Sequence, residues 1–158
     1  MRSRPEKTLC SNAPWEEVPE ARRAVMRAVK GRDTKPEMAV RRLLHRMGYR
    51  YRLHRKDLPG KPDLVFGPRK KAIFVHGCFW HQHPSASCRG ARMPLTRNQY
   101  WRAKLKRNEE RDERNLADLN RLGWDVMVVW ECWLKDMDRT SAAIQAFLGG
   151  TGNAREQD

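Results

Sequence analysis

Two short runs, Asp63-Leu64-Val65-Phe66 and Ala72-Ile73-Phe74-Val75, limit the possible folds of this chain more than any other feature. After Asp63 both are apolar at every position, so neither has a face suited to water. Strands of that kind belong in the middle of a sheet covered on both sides. The segment between them, Gly67-Pro68-Arg69-Lys70-Lys71, carries turn residues, and the pair reads as a hairpin.

The flanking sequence supplies the cover. Thr34-Lys35-Pro36-Glu37 has a capping Thr, a first-turn Pro and a Glu placed for a capping box, and Val40, Leu43, Leu44 and Met47 follow as the apolar stripe of a helix ended by Gly48. Tyr49 to Leu53 alternates arginine with larger apolar residues, as a half-buried strand does, and leads into the rigid turn Pro59-Gly60-Lys61-Pro62. A long helix is expected from about Asn98 to Leu122, stopped by Gly123, then a buried strand from Trp124 to Trp130 and a short helix from about Thr140 to Leu148. The order α-β-β-β-α-β-α predicts an α/β fold, a central mixed β-sheet flanked by helices. One domain is expected over residues 21–148, with a flexible basic segment at 1–20 and a flexible tail at 149–158.

Lys and Arg number 33 against 19 Asp and Glu, a formal charge of +14 spread along the chain, which points to a polyanionic partner. No apolar run is long enough to cross a membrane and no signal core follows the N-terminus, so a cytoplasmic protein with no membrane role is expected. In that reducing setting Cys10, Cys78, Cys88 and Cys132 are read as metal ligands or free thiols rather than disulfides.

Four features carry chemistry. Cys78, His81, His83 and Cys88 share one loop, and Cys132 follows a strand able to return it there; three thiolates and one imidazole make a closed tetrahedral zinc site. Spacing leaves open whether His81 or His83 is the fourth ligand, and three unrelated buried cysteines are the alternative. Asp63 opens an apolar strand, where a carboxylate needs a partner: magnesium, held with a backbone carbonyl of the neighbouring strand, or one of the many arginines. Asp112 lies on the apolar stripe of the long helix with Leu105, Leu116 and Leu119, with Asn108 on the same side, and suits either a histidine to orient or an arginine to pair. Phe79 and Trp80, with Tyr100-Trp101 beyond the loop, lie in or beside a polar, basic stretch with Arg89, Arg92 and Arg97 and suit either core packing or insertion between bases.

Together, Asp33-Thr34 with Glu37, Pro59-Gly60-Lys61-Pro62-Asp63, His76-Gly77-Cys78-Phe79-Trp80-His81, Asn108 with Arg111-Asp112, and Trp130-Glu131-Cys132 strongly resemble the very-short-patch-repair (Vsr) endonucleases over about Ala21 to Leu134. The resemblance implies a restriction-endonuclease-like core and an enzyme that nicks duplex DNA 5′ of the thymine in a T:G mismatch left by deamination of 5-methylcytosine. It implies a catalytic set of Asp63, His81, Asp112, His76 and Glu37. Asp63 and the Val75 carbonyl would hold magnesium, His81 would activate water and Asp112 would orient it. Glu37, also a capping-box candidate, would act through metal-bound water, and His76 on the phosphate.

By the same resemblance zinc falls to Cys78, His83, Cys88 and Cys132, and Phe79, Trp80 and Trp101 form the wedge pushed into DNA. Asn108, Arg22, Arg23, Lys30 and Arg32 are further candidate DNA contacts. The expected setting is a monomer at the bacterial nucleoid, with mismatch-repair proteins and a repair polymerase as partners. Two departures stand out: Val75 replaces a frequent threonine, and Pro84-Ser85-Ala86-Ser87 lengthens the stretch between His83 and Cys88. The competing expectations are a zinc-stabilised DNA-binding module without catalysis, and a nuclease of the same fold with another lesion or RNA as substrate.

Overall fold

The computed structural model describes residues 31–93 and 98–150. Cys10, Arg22, Arg23, Lys30, Arg97 and most of both expected flexible ends lie outside the described residues.

Four strands form one sheet in sequence order: β1 (Arg52–Leu53), β2 (Leu64–Phe66), β3 (Lys71–His76) and β4 (Asp125–Trp130). β1, β2 and β3 pair antiparallel, with Leu53 opposite Leu64 and Leu64 opposite Ile73. β4 lies parallel to β3, Lys71 beside Asp125 through to His76 beside Trp130. Parallel neighbours need a long crossover, and helix α2 (Asn98–Arg121) lies within it.

Alternation along β2 and β3 divides the apolar residues between two cores. Leu64, Phe66 and Ile73 face helices α1 (Lys35–Arg46) and α3 (Met137–Leu148), packing with Val40, Leu43, Leu44, Ile144 and Leu148. Val65, Ala72 and Phe74 face the other way, against Leu119 of α2, Leu58 and Trp124. The doubly apolar strands thus sit between helical layers, as their composition requires.

Thr34 caps α1, its hydroxyl accepting from the Glu37 N–H at 3.4 Å. α3 starts earlier than Thr140. Asp136 caps it through the Arg139 N–H, and buried Thr140 donates its hydroxyl proton within the 2.7–2.8 Å reach of the Trp133 and Asp136 carbonyls. The expected strand over Tyr49 to Leu53 pairs only at Arg52 and Leu53, because β2 offers too short an edge; Tyr49 is nevertheless buried and packs edge-on to Phe66.

Candidate active site

One corner of the site is built by α1 and the ends of β1 and β2. Glu37 stands in the first turn of α1, and its side chain is 3% exposed. A carboxylate so placed needs compensation. It ion-pairs with Arg41 one turn on, and its Oε1 lies 3.0 Å from His54 Nε2. The carboxylate therefore faces the site, not the Thr34 N–H that a full capping box would use. Arg41 also pairs with Asp33 at 2.7 Å. Burial works against its charge, but the two carboxylates outweigh it and raise its pKa.

Asp63 immediately precedes β2. Its Oδ2 accepts from the Val75 N–H at 2.7 Å, and its one ion-pair contact among the described residues is His54 Nδ1, 3.8 Å from Oδ1. Burial pushes its carboxyl up to about 6, with nearby Glu37 adding repulsion. Continuing the β2–β3 register sets Val75 opposite Pro62, which has no N–H. The N–H and C=O of a strand residue point to the same side, so the Val75 carbonyl faces a neighbour unable to donate to it. A half-buried carboxylate short of positive charge beside a backbone oxygen without a ladder donor is a hard-cation donor set, and these residues fit magnesium.

A second group forms where β3 meets α2. His76, at the end of β3, is 7% exposed and stacks on His81 with ring centroids 3.8 Å apart and planes inclined by 10°. Burial lowers the His76 pKa to about 3, with a further push from His81, so the ring is neutral. His81 Nδ1 lies 2.5 Å from Asp112 Oδ2. Burial alone would raise the Asp112 pKa, but the His81 hydrogen bond and charge outweigh it and hold the carboxyl below its ordinary value. Asp112 Oδ1 takes Arg111 at 3.2 Å, so this carboxylate has both partners that its place on the helix allowed. With Nδ1 engaged, Nε2 of His81 is the nitrogen left for substrate.

The loop between these groups is held by its own backbone. His81 N–H donates to the Gly77 carbonyl at 3.2 Å and His83 N–H to the Cys78 carbonyl at 3.0 Å, with Gln82 at φ +47° between them. Asn108 of α2 donates to the Trp80 carbonyl at 3.0 Å, fixing the loop to the helix that carries Asp112. Phe79, Trp80 and Trp101 meet edge to face with centroids 5.2–6.0 Å apart, all three half-buried, and the Lys104 ammonium lies 5.5 Å from the Trp80 ring centre. They form a cluster of their own with a cation on it, separate from the two cores. Arg32 is exposed.

Beyond the loop the sulfurs of Cys78, Cys88 and Cys132 gather within 4.8 Å of one another. His83 stands outside that tight group but lines the same pocket. Its Nδ1 accepts from the Ser85 N–H at 3.1 Å and its ring packs edge-on to Trp130, which leaves Nε2 as the available ligand atom. A Cβ on Gly90 would meet Cys78 Cβ at 3.1 Å, so the backbone there closes tightly around the thiols. Burial pushes the Cys78 thiol up to about 12 in the absence of a cation. Three converging soft donors and a nearby imidazole fit zinc.

His54 and Arg41 were not picked out from the sequence, and Trp130 only as part of the Trp130-Glu131-Cys132 motif, without a role. Trp130 lies edge-on to both His76, at 5.4 Å, and His83, at 4.5 Å, a wall between the two sites. The spacing of Glu37 and Arg41 by one helical turn was the available signal for Arg41.

The sequence profile of the family described as DNA mismatch endonuclease Vsr matches residues 17–87. The type II nicking enzyme V.XorIIP of Xanthomonas oryzae pv. oryzae is 50% identical over 130 residues, covering 82% of this chain and 93% of the relative. DNA mismatch endonuclease Vsr of Escherichia coli is 41% identical over 114 residues, 72% of this chain and 71% of its own. Among solved structures, the catalytic domain of the homing endonuclease I-Bth0305I superposes with a TM-score of 0.50 at 23% identity, over 73% of this chain and 94% of that one, a likeness of fold.

Proposed function

This chain belongs to the DNA mismatch endonuclease Vsr family and is a DNA nicking endonuclease, and from that premise we propose that it cuts one strand of duplex DNA on the 5′ side of the thymine in a T:G mismatch. The observation that carries the chemistry is the His81–Asp112 pair, 2.5 Å apart and stacked against a neutral His76. In this reading a water attacks the phosphorus in line and passes its proton to His81 Nε2, while Asp112 steadies the imidazolium that results. The bond from phosphorus to the leaving sugar oxygen breaks, and that oxygen takes a proton from solvent. His76, kept uncharged by burial, donates a ring N–H to a phosphate oxygen.

Asp63 and the Val75 carbonyl would hold magnesium, with Glu37 reaching it through water. That ion supplies positive charge to the phosphate oxygens of the transition state. Zinc on Cys78, His83, Cys88 and Cys132 would be structural, tying the loop to the end of β4. Phe79, Trp80 and Trp101 would enter the base stack beside the mismatch, where an already weakened step costs less to open. Mismatch-repair proteins and a repair polymerase would act on the nick.

The test is cleavage of end-labelled duplexes that are identical except for T:G, T:A or C:G at one position, with magnesium present. One nick 5′ of the mismatched thymine and little cutting of the paired controls is the expected pattern. Equal cutting of all three would overturn the lesion assignment. Binding without any nick would overturn the enzyme reading in favour of a DNA-binding module.

A further inference from the structure

We infer that His54 is a positioning residue of this active site, an imidazole wedged between Glu37 and Asp63 that holds the two carboxylates in fixed relation. The inference rests on the catalytic reading above and extends it to a residue with no role there.

Three independent observations converge. The ring spans the gap between the carboxylates, with Nε2 3.0 Å from Glu37 Oε1 and Nδ1 3.8 Å from Asp63 Oδ1, the first a hydrogen-bond distance and the second an electrostatic contact. The backbone delivers it there: the His54 N–H donates to the Asp63 carbonyl at 3.4 Å, extending the β1–β2 ladder by one residue. Finally, His54 has φ +45°, a left-handed conformation uncommon for a non-glycine residue, which it shares with Asp33, Lys61, Lys70 and Gln82.

Neighbouring donors fix how the ring is used. Arg41 stands 2.9 Å from the same Nε2, and a guanidinium can only donate. Nε2 therefore either accepts from Arg41, which puts the proton of the neutral ring on Nδ1 facing Asp63, or donates to Glu37. Without the ring, the buried Glu37 and half-buried Asp63 carboxylates would face each other with Arg41 bound to Glu37 only, and they would separate.

The test compares His54→Leu and His54→Gln with the parent in single-turnover nicking, on whichever duplex the parent cuts best, alongside DNA affinity and Tm. A supporting neighbour of this kind is worth about 10- to 100-fold in activity. The Leu variant is expected at the upper end of that range, with DNA affinity within about twofold, and Gln, which keeps an amide donor, near the lower end. Adding Leu to Glu37→Gln should cost far less than adding it to the parent, because the residue acts through Glu37.

A second measurement needs no cleavage: the imidazole nitrogen resonances of His54, followed in Glu37→Gln and Asp63→Asn. Both substitutions should move them. Undiminished nicking in the Leu variant, or His54 resonances indifferent to both substitutions, overturns the inference. A parent that ignores the T:G mismatch overturns only the lesion assignment, since the His54 comparison is internal to one substrate.

Discussion

The thiol group and the histidine–carboxylate group are reached from the same loop, residues 77–83, yet they are assembled in opposite ways. Cys78, Cys88 and His83 come from one stretch of chain, and only Cys132 arrives from elsewhere. Glu37, His54, Asp63, His76, His81 and Asp112 come from α1, the end of β1, the start of β2, the end of β3, the loop and α2. The thiols converge on one another, their sulfurs within 4.8 Å. The second group instead balances three carboxylates against histidines and two arginines, with burial moving Asp63 and His76 far from their solution behaviour. The difference teaches that one region is organised to hold chain together and the other to hold charge apart, so damage to each should show in a different measurement.

The largest effect should come from the second region. Asp63→Asn and His81→Ala are each expected to lower the nicking rate by about a thousandfold. Zinc content should stay near that of the parent, and Tm should change little. If either variant also lost zinc, the two regions would not be separable. Next, Cys132→Ser or His83→Ala should abolish stoichiometric zinc and lower Tm by roughly 10 °C, since binding energy at such a site is folding energy. Retention of zinc in His83→Ala with loss in His81→Ala would exchange the roles of the two histidines.

A smaller effect concerns acid stability. His76 is held neutral with a pKa of about 3 against 6.5 in solution, so the unfolded chain binds a proton there that the folded chain refuses. Its contribution is fully present above pH 6.5 and is lost as pH falls toward 3. Taken alone, His76 should therefore cost the metal-free chain roughly 2 kcal/mol between neutrality and about pH 4.5, a contribution that His76→Gln removes and that Asp63 largely offsets in the parent. Asp63, held up at about 6, works the other way, since its contribution is present at low pH and disappears as pH rises through 6; Asp63→Asn should steepen the acid loss. Urea titrations across this range would show both slopes.

The smallest expected effect is at Gly60, whose φ of +68° and position over α2 leave a Cβ 2.8 Å from the Asn115 side chain. Gly60→Ala should cost about 1–2 kcal/mol. Pairing it with Asn115→Ala should recover only part of the steric share, since the Asn115 Cβ itself stands 2.9 Å from the added carbon, and leave the backbone share. Because Gly60 lies on the turn that leads to Asp63, and Asn115 one turn beyond Asp112, this strain falls on the charge-holding region and should slow nicking without releasing zinc.

These contrasts also explain what could be read from the sequence. The paired apolar strands, the Thr34 cap and the crossover helix are written in local patterns, and the structure has them close to where those patterns place them. The start of α3 was harder to read, because Thr140 looks like a cap in sequence but spends its hydroxyl on carbonyls behind it. The loop and helix positions of the site stood out as polar residues in apolar surroundings. His54 did not: it sits in the basic run Arg52-Leu53-His54-Arg55-Lys56, and nothing local announces either its positive φ or its distant partner Glu37. Trp130 stood in a recognised motif, but its place was not legible, since an aromatic closing a buried strand looks like core until two histidines are found against its edge.

The parallel pairing of β3 with β4 governs when the sulfurs meet as well as where. Cys78 and Cys88 can approach each other as soon as their loop closes, but Cys132 reaches them only after α2 has been laid across the sheet and β4 has found β3. Contacts between such distant parts of a chain form late. A metal ion bound by the full set would therefore seal a fold already complete, and a chain interrupted before β4 would offer it only a partial, leaky grip. Metal uptake by the full set would then follow the step that lays α2, and Asp112 with it, against the histidines.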